Sequence, residues 1–214
     1  MDLSQLTAIS PVDGRYRNQV ANLSEYFSEY ALIKYRVHIE VEYFIFLADK
    51  KFFSISAAAK RSLRSIVENF SADNAERIKT IERTTNHDVK AVEYFLKEEL
   101  DKLNLASLKE WIHFGLTSQD INNTSIPLSW KHCMEYEYLP ALLNIQNEIY
   151  ALAKQWRNIS MLARTHGQPA SPTMLGKELM VFVERLNNQI SLFSFIPYAA
   201  KFGGATGNFN AHHI

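Results

Sequence analysis

The sequence predicts an all-α protein, with shorter N-terminal helices feeding at least two long bundle helices. Two observations carry that expectation. Glycine and proline together number 13 in 214 residues, about half of average usage, whereas a sheet-rich chain needs a turn every ~8–12 residues. Apolar residues also recur at three- and four-residue intervals over most of the chain.

Taken in order, Val37, Val41, Phe44, Ile45 and Ala48 predict a helix from about Ser24 to Lys50. Ser56 is placed to cap a second helix, whose Ala59, Leu63, Ile66, Val67 and Phe70 repeat at helical spacing. Ser71 and Asp73 open a short charged helix to about Arg83, and Val89, Val92, Leu96 and Leu103 predict another. Ser107 to Glu110 has capping-box spacing, and Thr117 with Asp120 marks the start of a helix running past Pro127 toward Tyr138. Pro140 fits either a first turn or a kink. Leu142, Ile145, Ile149, Leu152 and Trp156 follow a bundle rhythm. Ser171-Pro172 reads as a cap and first helical position for a last helix through Leu175, Leu179, Phe182, Leu186, Ile190 and Phe193, stopping at Pro197.

Composition narrows the function classes. Lys plus Arg equals Asp plus Glu at 23 each, without the basic excess of a nucleic-acid or acidic-membrane binder. One cysteine excludes an intramolecular disulfide framework, and Cys133 reads as a small buried apolar residue. No apolar run approaches the ~18 residues of a membrane span, and the N-terminus lacks a signal pattern, so a cytoplasmic location is expected. No metal site is expected: His212-His213 lack helical spacing and a partner acid.

Chemistry concentrates where the helical pattern breaks. Ser10 to Tyr16 offers Arg15 and Tyr16 beside an Asp13-Gly14 turn, as anion donors or as a plain surface turn. Asn86, His87 and Asp88 lie between two helices, where they serve as an anion site at a helix start or as an ordinary cap. Thr117 and Ser118 offer adjacent hydroxyls at another helix start, where capping and carboxylate binding are compatible. His166, in the break Arg164 to Ser171, is either a proton-transfer group or a hydrogen-bonded structural imidazole.

Together, SPVDGRY, KTIERTTNHDVKAVEYFL, HFGLTSQDINN and ARTHGQPASPT resemble bacterial-type adenylosuccinate lyases, a family of the fumarase/aspartase superfamily. The resemblance runs from about Leu3 to Ile214. It implies β-elimination of fumarate from adenylosuccinate, giving AMP, and from SAICAR, giving AICAR, in purine biosynthesis. It also implies no cofactor, and a homotetramer with sites shared between subunits. By motif, His166 corresponds to the general acid and His87 to a second catalytically important imidazole. Arg15 and Tyr16 correspond to contacts at the phosphate end, Asn86, His87 and Asp88 to the site lining, and Thr117 and Ser118 to the succinyl carboxylates. Gln119 departs from the Glu found in many members. The family's base is a serine on a GSSxMPxKxNP-type loop, a motif these residues do not contain. The resemblance therefore implies an N-terminal portion, with a helical domain at 1–111 and the first part of the central bundle at 112–214, lacking the rest of the bundle and the C-terminal domain and inactive alone. Other fumarate-releasing lyases of the superfamily, acting on argininosuccinate, aspartate or malate, and a non-catalytic helical scaffold stand as alternatives.

Overall fold

The computed structural model describes residues 1–209, 212 and 213. They form two compact units, one of residues 1–131 and 198–214, the other of residues 132–197.

In the first unit, a 3-10 turn Pro11–Asp13 leads into the short helices α1 (Arg17–Val20) and α2 (Ser24–Phe27), with a second 3-10 turn Ala21–Leu23 between them. Helix α3 (Glu29–Asp49) follows, then α4 (Ala57–Glu68), α5 (Ala72–Thr85), α6 (Asp88–Lys102), a 3-10 segment Ala106–Trp111 and α7 (Ser118–Cys133). The expected helix from Ser24 is broken at Ser28, whose backbone is extended and whose hydroxyl accepts the Ala31 N–H at 3.2 Å. Ser56 caps α4 through Ala59 N–H, and Ser71 and Asn74 cap α5 reciprocally. The capping box expected at Ser107 does not form: Leu105 precedes the 3-10 segment, which has no side-chain cap. Val37, Val41, Phe44 and Ile45 of α3 pack with Leu63, Ile78, Val92, Phe95 and Leu96 in one buried core. At roughly 1.5–3 kcal/mol for each such side chain removed from water, this core is the main stabilising term of the unit.

The second unit takes in the last two residues of α7 and a π-helical turn, Met134–Tyr138, which runs into α8 (Leu139–Gln155) with Pro140 in its first turn. Strands β1 (Ser160–Thr165) and β2 (Gln168–Met174) pair antiparallel, and α9 (Leu175–Ser194) follows. The Ser171-Pro172 pair predicts the opening of the last helix. Instead Pro172 pairs with Leu162 inside β2, and α9 starts at Leu175 without a side-chain cap. A two-stranded ribbon has only edge strands, so a proline without an N–H fits there. Helices α8 and α9 are joined by Gln146, whose Nε2 donates to Asn187 Oδ1 at 2.6 Å, and by close backbone approach at Gly176. Cys133 is buried. Ile145, Phe182 and Leu192 remain exposed on this unit. No helix among the described residues is long and apolar enough to cross a membrane.

Candidate active site

The α5–α6 break is a two-residue hinge. Asn86 ends α5 in the left-handed region at φ 56°, its N–H bonded to Glu82 O at 2.8 Å. His87 then returns to extended backbone and caps α6, with its Nδ1 accepting the Lys90 N–H at 3.2 Å. An imidazole nitrogen that accepts a hydrogen bond carries no proton, so the neutral ring holds its proton on Nε2. That Nε2 faces Ser118 Oγ at 3.3 Å. With the serine oxygen accepting from His87, its own hydroxyl proton is available to an anion.

Asp88 opens α6 and accepts Arg36 Nη2 at 2.6 Å. Burial raises its carboxyl pKa, but the Arg36 charge and the Val89 N–H outweigh this and hold it below the ordinary value. Arg36 and Asp88 line a cleft of about 410 Å³ together with Phe27, Ile126 and Trp130.

The Thr117–Ser118 start is organised by Asp120, which is 1% exposed. Its Oδ2 accepts the Thr117 N–H at 3.0 Å and the Thr117 hydroxyl at 2.9 Å. Its Oδ1 accepts the Gly203 and Gly204 amides, both at 2.9 Å. Burial would raise the Asp120 carboxyl, yet these four donors bring it down to about 2. The hydroxyl proton of Thr117 is thus committed to Asp120, which leaves Ser118 as the hydroxyl donor of this pair. His212 Nε2 lies 3.3 Å from Asp120 Oδ2, an ion pair only when that ring is protonated.

The turn before Thr117 contains His113 at φ 60° and Gly115 at φ 72°. His113 Nδ1 sits 2.5 Å from Oε1 of Glu40, a wholly buried carboxylate. Burial draws the imidazole pKa down, but the Glu40 hydrogen bond and charge draw it further up, above the usual histidine value.

Arg15 and Tyr16 follow a loop pinned by Asp13, which accepts the Ile9 and Ser10 amides and pairs with Arg17 at 2.7 Å. Both side chains are exposed, with the Arg15 guanidinium 5.5 Å from the centre of the Tyr16 ring. They belong to the same unit as His87 and Ser118, though no hydrogen bond joins them to that pair among the described residues.

His166 belongs to the other unit, exposed at the tip of the β1–β2 hairpin. His166 at φ 51° and Gly167 at φ 72° show the two positive values of a type I′ turn. Left-handed backbone costs a non-glycine residue roughly 1–2 kcal/mol, so the hairpin holds this imidazole at some expense. Among the described residues no group of three or more His, Cys, Asp or Glu is placed to hold a metal ion.

Thus one unit brings Asn86, His87 and Asp88 to Thr117 and Ser118. Arg36, Glu40, Tyr43 and Asn122 around them were missed in the sequence. The signal of the first three was faint: polar side chains on a helix whose neighbours at Ile33, Val37, Val41 and Phe44 are buried, whereas Asn122 lies on α7 within the HFGLTSQDINN stretch.

A lyase family model matches residues 14–214. The chain is 55% identical over its whole length to an adenylosuccinate lyase of Dictyostelium discoideum, and 47% identical over 99% of its length to one of Escherichia coli, covering 48% of each. It therefore spans about half the length of the curated relatives it matches. Among solved structures, it resembles a fumarate lyase from Mesorhizobium sp. BNC1 with a TM-score of 0.70 and 21% identity, over 89% of this chain and 44% of that one. A 3-carboxy-cis,cis-muconate lactonizing enzyme from Pseudomonas putida matches with a TM-score of 0.66 and 19% identity, over 90% of this chain and 43% of that one. These two likenesses bear on the fold alone. With a family match extending from Gly14 to the last residue, the chain belongs to the lyase family.

Proposed function

We propose that the chain is the N-terminal part of an adenylosuccinate lyase, which releases fumarate from adenylosuccinate and SAICAR by β-elimination. The observation that carries this is the 3.3 Å approach of His87 Nε2 to Ser118 Oγ. It joins two motifs that the family resemblance assigns to one substrate site, and relatives at 40–55% identity bear the adenylosuccinate lyase name.

The reaction removes a proton from the carbon beside a carboxylate, and the electron pair left behind forms the new double bond as the C–N bond breaks. Negative charge builds on that carboxylate, and a positioned hydroxyl that itself accepts the His87 N–H binds it in the ground state and through the transition state. In this reading Ser118 offers its hydroxyl proton to the succinyl carboxylate, Thr117 shapes the turn, and His87 and Asn86 complete the lining. Asp88 is held by Arg36 at the edge of the cleft. Arg15 and Tyr16 meet the phosphate as exposed donors on a pinned loop. His166 gives its proton to the departing nitrogen as general acid. The base that takes the carbon-bound proton comes from outside these 214 residues, so the isolated chain is inactive.

We further place an N-terminal helical domain at 1–111 and the first part of the bundle at 112–214, in a cytoplasmic homotetramer. The exposed Ile145, Phe182 and Leu192 support burial of the two-helix unit by further helices.

The test is fumarate release by the full-length protein, followed as loss of absorbance near 280 nm as adenylosuccinate becomes AMP. His166→Ala should slow it by about a hundredfold or more. Unchanged turnover would remove His166 from the acid role. Fumarate released from argininosuccinate, aspartate or malate instead would overturn the substrate assignment.

A further inference from the structure

Three polar side chains interrupt the buried face of α3, and each reaches a different part of the site. Arg36 Nη2 donates to Asp88 Oδ2 at 2.6 Å, and its Nε donates to Asn122 Oδ1 at 2.9 Å on α7. Glu40, one turn along, holds the His113 ring at 2.5 Å. Tyr43, a further turn along, donates its hydroxyl to the Phe114 carbonyl at 3.0 Å. Positions 36, 40 and 43 fall on one helix face. A single rigid element therefore grips the start of α6, the first turns of α7 and the turn that leads into Thr117 and Ser118.

Geometry explains these groups better than stability does. Glu40 is 0% exposed, and its second oxygen has no hydrogen-bond partner among the described residues. Burying a carboxylate costs several kcal/mol, and replacing a buried ion pair by apolar side chains is often neutral or stabilising. His113 is itself held at φ 60° and accepts the Leu116 N–H at 3.2 Å, so its ring and backbone both belong to the turn before Ser118. A ring fixed from α3 fixes that turn. Arg36 fixes Asp88, the residue next to His87, from the same helix.

We infer that Arg36, Glu40 and Tyr43 are positioning residues that set the separation of His87 from Ser118, with the Glu40–His113 contact holding the Ser118 side. The kinetic arm of the test rests on the lyase reading above, whereas the spectroscopic arm does not.

In the 214-residue chain, the nuclear Overhauser contact between Ser118 Hβ and His87 Hε1 should be present. It should weaken or vanish in Glu40→Gln and in Tyr43→Phe at temperatures where circular dichroism shows intact helix. In the full-length protein, Glu40→Gln should lower kcat about tenfold and Tyr43→Phe about threefold, with KM within about twofold, as expected for a displaced but intact site. A merely stabilising role would lower the melting temperature while leaving both the contact and kcat of the folded protein unchanged, and that result would overturn the inference. If Glu40→Gln does not fold, Tyr43→Phe decides, because it removes one oxygen from a half-buried ring. Should the wild type release no fumarate, the lyase reading fails while the contact measurement still decides the positioning role.

Discussion

His87 Nε2 stands 3.3 Å from Ser118 Oγ while Nδ1 of the same ring caps the helix that begins beside it. One imidazole thus serves the fold with one nitrogen and the site with the other, and the two roles are separable by substitution. Asparagine is a good N-cap, so His87→Asn should hold stability within about 0.5 kcal/mol, while His87→Ala should lose about 1 kcal/mol. Both should lower fumarate release by the full-length protein about a hundredfold or more. Denaturant melts beside initial rates check this; equal activity in the wild type and His87→Asn would confine the ring to capping.

Ser118 gives a different kinetic signature. Its hydroxyl is the free donor of the Thr117–Ser118 pair, and a hydrogen bond to a charged group contributes roughly 1.5–3 kcal/mol. Ser118→Ala should therefore raise KM about tenfold or more, with a smaller change in kcat. Steady-state kinetics with adenylosuccinate test it, and an unaltered KM would show that the carboxylate lies elsewhere.

Asp120 makes stability depend on acid. Its folded pKa of about 2 lies below the ordinary value of 3.8, so its contribution is complete above about 4. That contribution, roughly 2 kcal/mol, is lost as the pH falls from about 4 through 2. Asp120→Asn should be destabilised at neutral pH, because an amide nitrogen would face donors that a carboxylate accepts. Its unfolding free energy should also fall less steeply over that acid range. Urea melts at a series of pH values compare the slopes; identical slopes would exclude this carboxylate as the titrating group.

Gly176 tests packing in the other unit. A Cβ built there lies 2.2 Å from Ala153 O and 2.7 Å from Arg157 Cα. Helix propensity alone favours alanine over glycine by about 1 kcal/mol. The steric conflict involves backbone that cannot swing aside, so Gly176→Ala should instead destabilise the unit by about 3 kcal/mol or more. A thermal melt showing a raised midpoint would contradict the crossing geometry.

The elements most legible in the sequence were those with a single apolar face and a local cap. Ser56 and Ser71 marked α4 and α5 because their cap bonds lie within three residues. The break at Ser28 was invisible, since apolar residues continue across it and only the extended backbone separates α2 from α3. The β1–β2 hairpin was hidden for two reasons. Pro169 and Pro172 argue against a strand, and His166-Gly167 lacks the Asn-Gly or Asp-Gly pair that marks a tight hairpin turn. In the site, the breaks themselves stood out through their polar clusters. Their supports did not: Arg36 and Glu40 look like a solvent face until the surrounding helices are seen to cover them.

The amides of Gly203 and Gly204 lie 83 and 84 residues after the carboxylate they bond. During synthesis, Asp120 emerges long before its last two donors exist, and the intervening segment must be completed and brought back. Contacts so distant in sequence form late and slow the search for the native state. The helix start bearing Ser118 is therefore a site that matures in time: the carboxylate beneath it gains its full complement of donors only when the returning glycines arrive.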